Sequence, residues 1–155
     1  MINENIKQII EEHLFFKGFE YNEIDILIKH CAFTSFKKGD FLLGARQEAK
    51  NFYLITNGIV SLQVFSHSHG IIKLENIQDG EFLGWSWLTA PYDYHFDAVA
   101  FSKIKALVFD AKAIKRDMEA NHEFGYKMYR LFIPIIVERL QAARKNILEL
   151  YERDS

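Results

Sequence analysis

Between Phe33 and Asp110 the sequence is cut at Lys38-Gly39-Asp40, Asn57-Gly58, Ser68-His69-Gly70 and Asp79-Gly80 into short apolar-rich runs: FYLIT, IVSLQVF, IIKLENI and IKALVF. Such runs, bounded by glycine, aspartate and asparagine, read as strands joined by tight turns. Asn57-Gly58 favours a two-residue type I′ hairpin, because both central positions need positive φ and the flanking segments alternate as a half-buried antiparallel pair does. Short strands at regular spacing predict a jelly-roll-like antiparallel barrel.

Helical patterns flank this zone. Ile6, Ile9, Ile10 and Leu14 recur at helical spacing within residues 2–19, and Asn22 with Asp25 three residues on predicts a capped second helix. Asp110 is placed to cap a short helix through about Ala120, and Asn121 a longer one to about Arg153. The expectation is one α+β, mainly β domain, with N-terminal helices over 1–32, a barrel over 33–109 and C-terminal helices over 110–155. In the last helix Tyr129, Ile133, Ile136, Leu140, Ala143, Ile147 and Leu150 alternate at four and three residues, a coiled-coil seam. A helix about 45 Å long overhangs a small barrel, so a homodimer through residues 122–152 is expected. Pro134 removes a backbone donor inside this helix and predicts a kink.

Composition narrows the class. A chain of 155 residues, 49% hydrophobic and 15% aromatic, suits one domain with a sizeable core. Its 19 basic and 21 acidic residues leave a net charge of −2, with no general pull towards nucleic acid or an anionic membrane. No apolar run is long enough to span a bilayer and the N-terminus lacks a signal-peptide pattern, so a cytoplasmic location is expected. Cys31, the lone cysteine, sits among apolar residues and reads as a covered reduced thiol.

Catalytic motifs find little support. His67, His69 and Glu75 share a hairpin as cupin metal ligands do, but their spacing differs and Ser68-His69-Gly70 reads as a turn that exposes both imidazoles. His13, His30 and His122 lie in helical zones without a recognisable partner, and no G-x-S-x-G motif occurs. No catalytic residue, no metal site and no obligate cofactor are expected.

Taken together, the glycine-aspartate turn at 39 and 40, Gly58, the segment Gly80-Glu81-Phe82-Leu83-Gly84, and RLQAAR at 139–144 resemble the cyclic-nucleotide-binding domain of Crp/Fnr-type regulators. The resemblance spans nearly the whole chain. It implies a phosphate-binding cassette opened by Gly80 and Glu81, continued by Phe82, Leu83 and Gly84, with Trp85-Ser86-Trp87-Leu88 as its short helix. In that family the cassette amides hold a cyclic phosphate and the glutamate accepts from the ribose hydroxyl, as exposed amides at a helix start allow.

One element of the family pattern is absent. The register through Phe96, Ala98 and Ala100 puts Tyr94 or His95 where cyclic AMP binders place an arginine, and no arginine occurs between Arg46 and Arg116. Loss of that charge-assisted pair is worth a few kcal/mol, about a hundredfold in affinity. His95 can supply a pH-dependent cation, while Asp97 on the same strand face opposes an anion unless it pairs with His95. Trp85 and Trp87 either stack on a planar ligand or fill the barrel mouth. The expected function is a non-catalytic ligand-sensing regulatory domain, with Gly80 to Ser86, Tyr94 and His95 facing a cyclic nucleotide or another small anionic ligand. A ligand-free dimeric scaffold is the alternative. Ser155 follows the dimer helix directly, so a helix-turn-helix and direct DNA binding are not expected.

Overall fold

The computed structural model describes residues 2–153; Met1 and the last two residues of the expected C-terminal zone lie outside them. Helix α1 (Ile2–Glu12), a 3-10 turn (Leu14–Phe16) and α2 (Tyr21–Lys29) precede eight strands: β1 (Cys31–Phe36), β2 (Phe41–Leu43), β3 (Asn51–Asn57), β4 (Val60–Ser66), β5 (Gly70–Ile77), β6 (Phe82–Leu83), β7 (Asp97–Ala100) and β8 (Ile104–Asp110). A second 3-10 turn (Ser86–Leu88) lies between β6 and β7, and α3 (Ala111–Ala120) and α4 (His122–Arg153) complete the fold.

All the strand pairs are antiparallel, in two sheets ordered β1-β8-β3-β6 and β2-β7-β4-β5. Consecutive strands therefore mostly lie in opposite sheets, as a jelly roll requires. This corrects the expected hairpin at Asn57-Gly58, since β3 and β4 do not pair. Only Gly58 has positive φ there (106°), which rules out a type I′ turn. Gly58 instead carries the chain from one sheet to the other, where a Cβ would stand 2.4 Å from the Lys103 carbonyl oxygen. Its amide donates to Asp79 Oδ1 at 2.8 Å, so two of the predicted turns meet each other. The hairpin at Ser68-His69-Gly70 does form between β4 and β5.

Three expectations at the N-terminus change. The first helix ends at Glu12, before Leu14, which is exposed while Phe16 takes the core position. α2 begins after Glu20 rather than Asn22, with Glu23 accepting from the Glu20 amide at 2.8 Å. Glu23 can be spared for this because it is buried beside Lys127 of α4, which holds the same oxygen at 2.5 Å. Cys31 opens β1 two residues before the expected barrel boundary; burial pushes its thiol up to about 12, so it carries no reactive thiolate at neutral pH.

At the other end the caps stand where the sequence puts them. Asp110 Oδ1 accepts from Ala113, and Asn121 Oδ1 from Phe124. α4 runs unbroken through Pro134 and buries Phe124, Met128, Leu131, Phe132 and Ile135, with Phe124 against Phe19 and Phe132 against the barrel. There Phe52 stacks on Phe109 (4.6 Å) and on Trp87 (4.9 Å), with Phe132 edge-on at 5.2 Å. This aromatic cluster joins both ends of the barrel zone to α4, and burying each such ring stabilises by about 1.5–3 kcal/mol.

Candidate functional site

The segment from Gly80 to Leu88 divides its side chains between core and surface. Gly80 takes φ 84°, donates to Ile55 O at 2.7 Å, and its own carbonyl accepts from His13 Nε2 at 2.7 Å. Because His13 Nδ1 accepts from the Phe15 amide, the neutral tautomer with hydrogen on Nε2 fits both bonds. Phe82 and Leu83 form β6 against β3 and are buried, as are Ser86 and Trp87. Gly84, with φ 91°, brings the chain over Asn51 and Phe52. Trp85 remains half-buried at the surface of the barrel.

A cavity of about 350 Å³ opens between this segment and α4, lined by Leu62, Leu74, Trp85, Phe96, Ile136 and Leu140, with Glu75, His95, Arg139 and Asn146 as its polar members. Its floor depends on a bulge in β5. Leu62 pairs with Glu75 and Gln63 with Lys73, which leaves Leu74 as an extra residue. The bulge brings both Leu74 and Glu75 to the cavity, and Asn146 Nδ2 of α4 donates to the Leu74 carbonyl at 3.1 Å.

Arg139 was not among the expected site residues. Its guanidinium donates to Glu75 through one nitrogen and to Glu81 Oε2 through the other, at 3.2 Å. It lines the 350 Å³ cavity on one side and, on the other, a 500 Å³ cleft formed by His13, Gly80, Glu81, Ile135 and Glu138. Burial raises the Glu75 carboxyl above its usual range, and Glu81 and Glu138 add to this while Arg139 opposes it. Two carboxylates on one guanidinium leave the local charge negative.

Of the expected ligand residues, the structure brings only Trp85 and His95 to the cavity, while Gly80 and Glu81 lie across Arg139 from it. Phe82, Leu83 and Ser86 are core residues. Tyr94 is 6% exposed; its hydroxyl donates to Asn51 O at 2.6 Å and accepts from Asn51 N at 3.2 Å, so it fastens the start of β3. Asp97 is spent on the Ala45 amide at 2.8 Å. The two tryptophans split the two readings between them: Trp87 fills the barrel and Trp85 faces the cavity. In the sequence, the RLQAAR stretch was the signal that could have led to Arg139, but nothing local shows that this arginine faces a barrel 58 residues upstream.

A sequence model of the cyclic nucleotide-binding domain matches residues 33–121, more than half of the chain. The chain belongs to the cyclic nucleotide-binding domain family. Solved structures of the same fold include a cyclic nucleotide-binding domain from Methylobacillus flagellatus (18% identity, TM-score 0.78, 95% of this chain and 83% of that one). The sensor domain of the transcriptional regulator DNR from Pseudomonas aeruginosa has 16% identity and a TM-score of 0.72, over 90% of this chain and 93% of that one. A third is the regulatory subunit of a cAMP-independent protein kinase A from Trypanosoma cruzi bound to guanosine, at 16% identity and a TM-score of 0.67 over 76% of this chain and 42% of that one. No curated protein matches by sequence. As a member of this family the chain is a regulatory ligand-sensing domain in fold, and among the described residues no helix is long and apolar enough to cross a membrane.

Proposed function

We propose that this domain is a non-catalytic cytoplasmic sensor whose cavity takes a neutral, planar, nucleoside-sized ligand, and that occupancy is read out through α4. The observation that carries the proposal is the state of Arg139, a cation at the cavity already shared by two carboxylates. A cyclic phosphate entering there meets Glu75, and an Arg139 guanidinium already committed to Glu75 and Glu81, so its charge is a cost. An uncharged nucleoside avoids that cost. Trp85 offers a stacking face and the apolar lining covers a base, while Glu81 Oε1, across Arg139 from the cavity, is left to accept from a ribose hydroxyl. The trypanosomal relative bound to guanosine supports the reading that this fold accommodates an uncharged nucleoside.

Transmission follows from where Arg139 sits. A ligand that reaches both Trp85 and Glu81 has to displace a guanidinium belonging to α4, so binding shifts that helix against the barrel. Ile136, Leu140 and Ala143 of the expected dimer seam also line the cavity, while Tyr129, Ile133, Ile147 and Leu150 remain exposed on the same helix. A second copy packed on this stripe would close the open side of the cavity, which couples ligand to dimer.

Calorimetric titration with guanosine, adenosine, cyclic AMP and cyclic GMP, at pH 6 and pH 8, tests the proposal. The expected result is a nucleoside that binds more tightly than its cyclic phosphate and loses its affinity in Trp85→Ala. Tighter binding of the cyclic phosphate refutes the charge argument. Silence with all four favours a scaffold that presents α4 without a ligand.

A further inference from the structure

A separate, smaller cavity shares no lining residue with the two that Arg139 lines. It has a volume of about 130 Å³ and is lined by Glu48, Ala49, Trp87, Tyr92, Ala111, Lys112 and Lys115. Trp87 is 2% exposed, and its Nε1 is the only buried side-chain nitrogen or oxygen without a hydrogen-bond partner among the described residues. An indole N–H is a donor and nothing else, so the group it lacks is an acceptor.

The charges around this cavity favour the same kind of occupant. Glu48 is taken up by Lys112 at 2.5 Å and faces Lys50 at 4.0 Å. Lys115 makes no ion pair among the described residues; its ammonium lies 3.7 Å from the centroid of the Tyr92 ring. Two lysines therefore share Glu48, and Lys115 stands at the cavity beside the Tyr92 ring without a carboxylate partner among the described residues. Donors and cations stand beside Ala49, Ala111 and the aromatic rings, a pairing of one anionic end with one apolar end. At 130 Å³ the space suits a handful of heavy atoms and is too small for a nucleotide.

We infer that this cavity is a binding site for a short-chain carboxylate, whose oxygens meet the Trp87 indole N–H and Lys115 and whose alkyl end packs on Ala49 and Ala111. The site is tied to α4 through the indole itself, which stacks on Phe52 and meets Phe132 of α4 edge-on at 5.4 Å. An occupant that draws Nε1 outward shifts a ring that α4 packs on. The carboxylate site and the Arg139 cavity thus act on the same helix through different side chains, Phe132 and Arg139.

The chain has two tryptophans, so a ¹⁵N-labelled sample gives two indole signals, assigned with Trp85→Phe. Titration with sodium propionate against sodium chloride at matched ionic strength should move the Trp87 signal saturably and leave Trp85 in place. Lys115→Met, at a partly exposed helix position, should weaken the effect at least about tenfold without unfolding the protein, the loss expected for a charge-assisted bond. A non-saturable shift, or the same affinity in Lys115→Met, overturns the inference. So does saturation by inorganic phosphate with no response to propionate. Loss of propionate binding by calorimetry in Trp87→Phe supports it, with the Trp85 signal reporting that the fold persists.

Discussion

Arg139 of α4 donates to Glu81 of the cassette at 3.2 Å while its other terminal nitrogen holds Glu75 of β5. A single guanidinium thereby ties α4 to the bulged strand and to Glu81 of the cassette. All three side chains are partly covered, so the pair is worth more than a surface ion pair and less than a dry one.

Arg139→Met should lower stability by about 1–2 kcal/mol, because it leaves Glu75 half-covered without a counter-ion. Adding Glu75→Gln should recover part of that loss. Urea unfolding of both single variants and the double variant measures the coupling, and strict additivity would show that the pair contributes nothing.

Glu75 gives stability a definite pH slope. Its folded pKa is raised above the ordinary 4.5 by burial, so between 4.5 and the raised value the folded state holds a proton that the unfolded state has released. Stability therefore falls as pH rises through this window and is unaffected by Glu75 above it. Melting temperatures measured from pH 4 to pH 8 should show the decline in the native protein relative to Glu75→Gln, and a difference of opposite sign would contradict the assignment.

Gly58→Ala should destabilise by more than about 2 kcal/mol. Positive φ strains alanine, and its Cβ would press on the Lys103 carbonyl, which belongs to the backbone and cannot swing aside. Gly39→Ala, which shares the positive φ but has open space around it, should cost less than half as much. Equal costs would show that φ alone, and not the sheet crossing, sets the penalty.

Tyr94→Phe should cost about 1 kcal/mol in stability and leave nucleoside affinity unchanged, since its hydroxyl serves only the Asn51 backbone. Trp85→Ala should do the reverse. Comparing thermal melts with calorimetry for the two variants separates support from contact, and a binding loss in Tyr94→Phe would return that residue to the site.

Ile147→Glu places a charge on the exposed stripe of α4, away from the cavity lining. Light scattering after size exclusion should report a dimer for the native chain and a monomer for this variant. A monomeric native chain would leave the stripe to another partner.

The sequence by itself determined where the elements begin and end wherever the signal is local. Asp110 and Asn121 cap their helices because each side chain reaches an amide three residues on, and the glycine turns break the strands because φ there is set by one residue. Its cassette pattern also placed the short turn after Gly84. Only the tertiary structure decided what those local pieces face. Gly58 crosses between sheets instead of closing a hairpin because β3 finds β8 and β6 as neighbours, a choice made by distant strands. Glu23, not Asp25, completes the cap of α2 because Lys127, 104 residues away, compensates its burial. Without an arginine in the register before β7, the cassette meets one from α4, already shared by Glu75 and Glu81 of the barrel zone. Neither fact is visible locally, because the energy of a charge depends on burial and neighbours, and chain folding supplies both.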